Sequence, residues 1–198
     1  MVGAFSDVSC FSFYANKIIT TGEGGMCLTN SDRVAAQLRE LRDHGMAPNR
    51  FYWHDRVGYN YRMTNIQAAI GLMQLRRIED ILPRNARLEG LYREQFRDLA
   101  SVRFAPALGS EYDPVVWLVC AEVPAESRTR LIETARHAGI ELRPFFHSLS
   151  AMPAYADHAR TCPVSAALSQ TGINLPTSSA VDAQVIDKVG QVFREVLG

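Results

Sequence analysis

Lys17 is one of two lysines in a chain that otherwise writes its positive charge as arginine; the other is Lys188. Arginine stays protonated, whereas a lysine amine can lose its proton and attack a carbonyl carbon. A lysine in such a chain therefore marks a position where amine chemistry is available. Its surroundings are Ser12-Phe13-Tyr14-Ala15-Asn16-Lys17-Ile18-Ile19-Thr20-Thr21-Gly22-Glu23-Gly24-Gly25-Met26. Apolar residues lead in and a glycine-rich turn leads out, which predicts a strand, a loop that presents Lys17, and a second strand over 25–29. A solvated surface lysine is the ordinary alternative, and these neighbours argue against it. Ser12 and Asn60 are neutral donors of the kind that bind phosphate oxygens, although taken alone one reads as a surface serine and the other as a turn residue. His147 lies in a proline- and aromatic-rich stretch, where a single histidine is more often structural or solvated than a ligand contact.

Other chemistries find no support in the spacing. Gly22, Gly24 and Gly25 permit tight turns but lack the P-loop spacing. Cys10, Cys27, Cys120 and Cys162 form no C-x-x-C pair, and no His/Glu/Cys cluster has metal-ligand spacing. The first three cysteines sit in apolar, strand-like runs, where cysteine is expected to behave as a small hydrophobe. No G-x-S-x-G element occurs.

The lysine string resembles the cofactor motif of the DegT/StrS family, the pyridoxal-phosphate-dependent sugar-nucleotide aminotransferases of fold type I. In that resemblance Lys17 matches the Schiff-base lysine, and Ser12 matches a serine that binds the cofactor phosphate. Gly58-Tyr59-Asn60-Tyr61-Arg62-Met63-Thr64-Asn65-Ile66-Gln67-Ala68-Ala69 is similar to a second family signature, in which Asn60 would reach the cofactor phosphate of the neighbouring subunit. Two further matches run from Arg143-Pro144-Phe145-Phe146 to Met152-Pro153-Ala154-Tyr155 and through Asn174-Leu175-Pro176-Thr177-Ser178. All four come in family order, and the flavour is closest to perosamine synthase-like members.

The resemblance implies a homodimer that uses pyridoxal 5'-phosphate and a sugar nucleotide, with glutamate as amino donor. Lysine rather than histidine at position 17 points to aminotransfer over the dehydration carried out by some relatives. Where many relatives have Pro-Leu-His this chain has Ser148-Leu149-Ser150, so serine stands at that histidine's place and the proline is missing; His147 is a candidate for a substrate contact. Family members run to roughly twice this length. The resemblance therefore describes the C-terminal half of such an enzyme, expected to be weak or inactive alone. It supplies no assignment here for the aspartate beside the pyridine nitrogen, for the ring-stacking aromatic or for the glycine-threonine phosphate loop. A non-catalytic remnant or interaction module that keeps the fold without cofactor is the competing reading.

The elements that must position these residues follow from periodicity. Ser31-Asp32 caps a helix that stops at His44-Gly45. An aromatic-rich connection over 45–63 precedes Thr64-x-x-Gln67, a capping box opening a strong helix whose apolar stripe includes Ile66, Ile70 and Met73. Pro83 is expected to kink or break that helix, and a second segment runs over about 84–99. Beyond residue 100 the pattern predicts a strand over 115–123, a helix capped by Ser127, a short strand over 140–143, a helix over 164–171 and a last helix capped by Asp182.

The element pattern gives an α/β fold class, and the resemblance implies part of a fold type I large domain over 1–82, including the lysine loop, followed by a small α/β domain over 83–198. Composition agrees with an ordinary globular protein of 198 residues, 47% apolar and 21% charged, with zero net charge. That balance gives no support for nucleic-acid or membrane-surface binding, and a reduced, cytoplasmic setting is the simplest expectation. The start has no signal-peptide pattern, and no stretch approaches a membrane span.

Overall fold

A computed structural model describes residues 3–158 and 160–198. The chain divides into two units, residues 1–81 and 82–198.

The first unit opens with an antiparallel pair of strands, β1 (Ser9–Ser12) and β2 (Gly25–Leu28), with Ser9 opposite Leu28 and Ser12 opposite Gly25. Between them runs the lysine loop. Helix α1 (Asp32–Arg42) follows; Ser31 caps it by accepting from the Val34 N–H at 3.3 Å. The aromatic connection is held by backbone bonds rather than by its rings alone. Tyr59 N–H donates to the Leu41 carbonyl at 2.7 Å, Tyr61 N–H to that of Arg42 at 2.9 Å, and His44 N–H back to that of Tyr59 at 3.0 Å. These place 59–61 against the end of α1. The close approach requires Gly45 and Gly58: a Cβ at Gly58 would lie 2.0 Å from the Gly45 nitrogen, and Gly45 has φ +70°. Helix α2 (Asn65–Leu75) then opens on the Thr64/Gln67 capping box.

Helix α3 (Ile78–Gln95) carries the chain from the first unit into the second. The expected break at Pro83 falls elsewhere. The turn lies at Arg76–Arg77, and α3 runs through Pro83 in its second turn. The segment also stops at Gln95 rather than near 99.

The second unit contains the hydrophobic core. Its sheet is antiparallel, in the order β3 (Cys120–Glu122), β5 (Gly172–Asn174), β4 (Arg143–Pro144), so the last strand in sequence is the central one. Helices α4 (Ala125–His137), α5 (Pro163–Thr171) and α6 (Ala183–Leu197) complete it; α4 packs against α6, α5 and β4. Tyr92, Phe193, Leu131 and Ile173 are fully buried. Phe96 of the turn after α3 stacks on Phe193 with centroids 4.4 Å apart, and the Tyr92 hydroxyl donates to the Pro176 carbonyl at 3.0 Å. Burial pushes the Tyr92 phenol well above its ordinary pKa.

Several expected elements are corrected here. The apolar run 115–123 forms a strand only over Cys120–Glu122, because its earlier residues bond side chains and loops. The Val116 carbonyl accepts from Asn85 Nδ2 at 3.0 Å, and Val119 N–H donates to Thr177 Oγ1 at 2.9 Å. Helix α4 starts at Ala125, so Ser127 lies inside it rather than at its cap. The strand expected over 140–143 pairs at Arg143–Pro144, and β5 was not anticipated. Asp182 does cap α6, accepting from the Val185 N–H at 3.0 Å.

Candidate functional site

The loop between β1 and β2 is closed at its neck, where Phe13 N–H donates to the Gly24 carbonyl at 2.9 Å. This is an Ω-like loop whose own side chains satisfy its backbone. Thr20 Oγ1 donates to the Phe13 carbonyl at 3.0 Å and accepts from the Gly22 N–H at 2.9 Å. Thr21 N–H reaches the same Phe13 carbonyl at 3.0 Å, and Thr21 Oγ1 donates to the Glu23 carbonyl at 2.7 Å. Lys17 sits half-buried at the tip of a turn in which its N–H donates to the Tyr14 carbonyl at 2.9 Å.

Helix α2 holds this loop from one side with three residues, of which the sequence marks only Gln67, and that only as part of the capping box. Gln67, Gly71 and Gln74 recur at i, i+4 and i+7, which places them on one helical face. Gln74 pairs with the backbone of Thr20 as a strand would: Thr20 N–H donates to its Oε1 at 3.0 Å, and its Nε2 donates to the Thr20 carbonyl at 2.5 Å. Gln67 completes the capping box and also donates through Nε2 to the Glu23 carbonyl at 3.2 Å. Gly71 lets the loop lie close, since a Cβ there would meet Thr21 Cγ2 at 2.9 Å. The spacing of two glutamines and a glycine was the signal available. The apolar stripe of the same helix is exposed at Ile66, Ile70 and Met73.

Ser12 is the last residue of β1, exposed, and faces Gly25 across the ladder, where no side chain covers it. Its Oγ accepts from the Tyr14 N–H at 3.3 Å, which leaves the hydroxyl proton to donate to an anion. Asn60 is exposed on the segment beside α1, paired through its backbone with Asp43. Phe11 and Tyr14, two of the apolar residues that lead into the lysine loop, are about half exposed, at 45% and 48%. The donor set suits a phosphorylated aldehyde: a lysine amine for the carbonyl, and a hydroxyl and an amide for phosphate oxygens.

His147 belongs to the second unit. It is exposed and lines a cavity of about 650 Å³ with Phe145, Phe146, Leu149 and Leu168. The floor is tied by a serine cluster: the buried Ser148 Oγ lies 2.8 Å from Ser150 Oγ and accepts from Ser165 Oγ at 3.0 Å. Phe146 stacks on Trp117 with centroids 6.2 Å apart. Among the described residues no group of three His, Cys, Asp or Glu could hold a metal ion, and no helix is long and apolar enough to cross a membrane.

The family described as DegT/DnrJ/EryC1/StrS aminotransferase matches residues 1–194. GDP-perosamine synthase of Caulobacter vibrioides is 41% identical over 199 residues, covering 98% of this chain and 54% of that protein. Among solved structures, the aminotransferase TlmJ from Streptoalloteichus hindustanus superposes with a TM-score of 0.91 at 23% identity, over 99% of this chain and 53% of its own. The sugar aminotransferase Spr1654 from Streptococcus pneumoniae, in its PLP form, has a TM-score of 0.85 at 23% identity, over 100% and 54%. These likenesses give a mixed α/β fold that is part of fold type I. The chain spans about half the length of the curated relatives it matches.

Proposed function

The chain belongs to the DegT/DnrJ/EryC1/StrS aminotransferase family, and from that premise we propose that it is the lysine-bearing part of a pyridoxal 5'-phosphate-dependent aminotransferase acting on a nucleotide-linked keto-deoxysugar. The observation that carries this reading is the closed loop that presents Lys17, pinned to α2 through Gln74 and Gln67. The relatives' names support the substrate class, one of them being a GDP-perosamine synthase.

When bound, the cofactor would supply an aldehyde and an electron-withdrawing ring. Lys17 Nζ would hold it at the aldehyde carbon, and the same amine, when free, would be the base placed to move a proton. The clamp on Thr20 keeps that amine on a fixed base, and a misplacement of about 1 Å can cost on the order of 100-fold in rate. Ser12 Oγ–H and the Asn60 amide would donate to phosphate oxygens of the bound cofactor, Asn60 to those of a neighbouring subunit in a two-fold dimer. His147 contributes to the sugar-nucleotide side from its aromatic cavity. Glutamate is the amino donor, and the setting is the cytoplasm. Residues 1–82 represent the large domain and 83–198 the small one.

Because the relatives are about twice as long, activity is proposed for the completed fold; these residues alone are expected to turn over weakly or not at all. The test is transamination between glutamate and a keto-sugar nucleotide, using the chain alone and then combined with the amino-terminal half of the Caulobacter relative. Turnover that needs both parts and disappears in Lys17→Arg is expected. Turnover retained by Lys17→Arg would contradict the reading, and cofactor-free behaviour of the combined halves would favour an interaction module.

A further inference from the structure

The apolar, strand-like runs around Cys10 and Cys27 predict cysteines that behave as small hydrophobes. The structure instead exposes both, directly opposite one another on β1 and β2, with their sulfurs 3.8 Å apart. The ladder's hydrogen bonding fixes what kind of pair they are. Phe13 N–H bonds the Gly24 carbonyl, so 13/24 is a hydrogen-bonded pair. Bonded and non-bonded pairs alternate along an antiparallel ladder, which makes 11/26 bonded and 10/27 non-bonded. In a non-bonded pair the Cα atoms approach to about 4.5 Å, inside the range that a disulfide bridges without backbone movement. The other two thiols are placed differently. Cys120 is half-buried on β3, with its sulfur 3.1 Å from Asn174 Oδ1, and Cys162 lies at the start of α5.

We propose that Cys10 and Cys27 form a reversible cross-strand dithiol–disulfide site, oxidised by exchange with a low-molecular-weight disulfide. One cysteine thiolate attacks a sulfur of the small disulfide, whose S–S bond breaks and releases one small thiolate. The second cysteine thiolate attacks the protein sulfur of the mixed disulfide, forms the Cys10–Cys27 bond and expels the second small thiolate. The protein gives up two electrons and two protons. The small disulfide takes the electrons, and the protons complete its two thiols. Partial desolvation by its neighbours, with the Cys10 sulfur beside it, holds the Cys27 thiol above its ordinary pKa, so exchange through Cys27 quickens as pH rises. The bond would close a covalent ring over residues 11–26, which contains the whole Lys17 loop, and would tie the two strands on which the loop stands.

Trypsin gives a direct readout, because it cuts after Lys17 and Arg33 and so separates Cys10 from Cys27. The full chain is equilibrated with mixtures of reduced and oxidised glutathione, quenched by acid and alkylation, digested and mapped. The expected result is one linked peptide pair, 1–17 joined to 18–33, that disappears in excess reduced glutathione. Cys10→Ser and Cys27→Ser chains should give no such pair and instead carry glutathione on the remaining cysteine. In guanidinium the native advantage is lost, so the midpoint glutathione ratio should shift by about tenfold or more toward oxidising conditions. Recovery of Cys10 and Cys27 unlinked, or each carrying glutathione at saturating oxidant, would overturn the proposal. So would linkage that forms equally well in denaturant.

Discussion

Replacing Gln74 with alanine should release the lysine loop while leaving the rest of the fold intact. The wild-type side chain makes two hydrogen bonds to one residue, accepting from Thr20 N–H at 3.0 Å and donating to the Thr20 carbonyl at 2.5 Å. Each such bond is worth about 0.5–1.5 kcal/mol net, so the pair contributes about 1–3 kcal/mol to keeping the loop docked. Thr20 is half-buried, so water partly replaces the lost partners and the lower end of that range applies. At about 1.4 kcal/mol per tenfold, a loss of about 1–1.4 kcal/mol means that the Thr20 amide should exchange roughly 5- to 10-fold faster in Gln74→Ala. Native-state hydrogen exchange measures this directly. The Ile173 amide, in the buried central strand of the other unit, serves as the internal reference and should not change. Gln74→Glu keeps an acceptor but loses the donor, so it should fall between. Unchanged Thr20 exchange in Gln74→Ala would refute the clamp, and equal acceleration at Ile173 would show global destabilisation instead.

Gly58→Ala should cost about 1–3 kcal/mol in urea unfolding of the first unit, because its Cβ would lie 2.0 Å from the Gly45 backbone nitrogen and the 59–61 segment must shift. Phe193→Ala removes a fully buried ring from the second unit and should cost about 3–5 kcal/mol by thermal or urea denaturation of that unit. Hydrogen bonds from Arg194 hold the Asp98 carboxyl below the ordinary aspartate pKa. Because the folded value lies below the unfolded one, the pair stabilises above about pH 4 and the contribution fades as pH falls through the lowered value. Asp98→Asn should therefore flatten the acid limb of the stability–pH curve, and an unchanged limb would argue against the pair.

The parts of this fold that could be read from sequence are those fixed by local chemistry. The strand–loop–strand around Lys17, the Ser31 and Asp182 caps and the Thr64/Gln67 capping box depend on residues within a few positions of one another. What escaped was decided by distant partners. Strand β5 is three residues long and becomes central only because β3 and β4 flank it from far along the chain. The run 115–119 has strand composition, yet its backbone is taken by Asn85 and Thr177. The same limit applied to the site. The motif marks Lys17, but the residues that pin its loop lie some fifty positions on, on the polar face of a helix whose apolar pattern is the stronger local signal. The exposure of Cys10 and Cys27 is also a tertiary fact, since the residues around them look core-like and the first unit buries little beyond Thr21 and Gly45.

The most direct measurement is to incubate the chain, combined with the amino-terminal half of its Caulobacter relative, with pyridoxal 5'-phosphate, reduce with borohydride and map the tryptic peptides. A cofactor fixed on Lys17 blocks cleavage there, so the predicted product is a single uncut 1–33 peptide carrying the cofactor, absent from Lys17→Arg. Cleavage after Lys17 with the label on Lys188 or on the amino terminus would contradict the account.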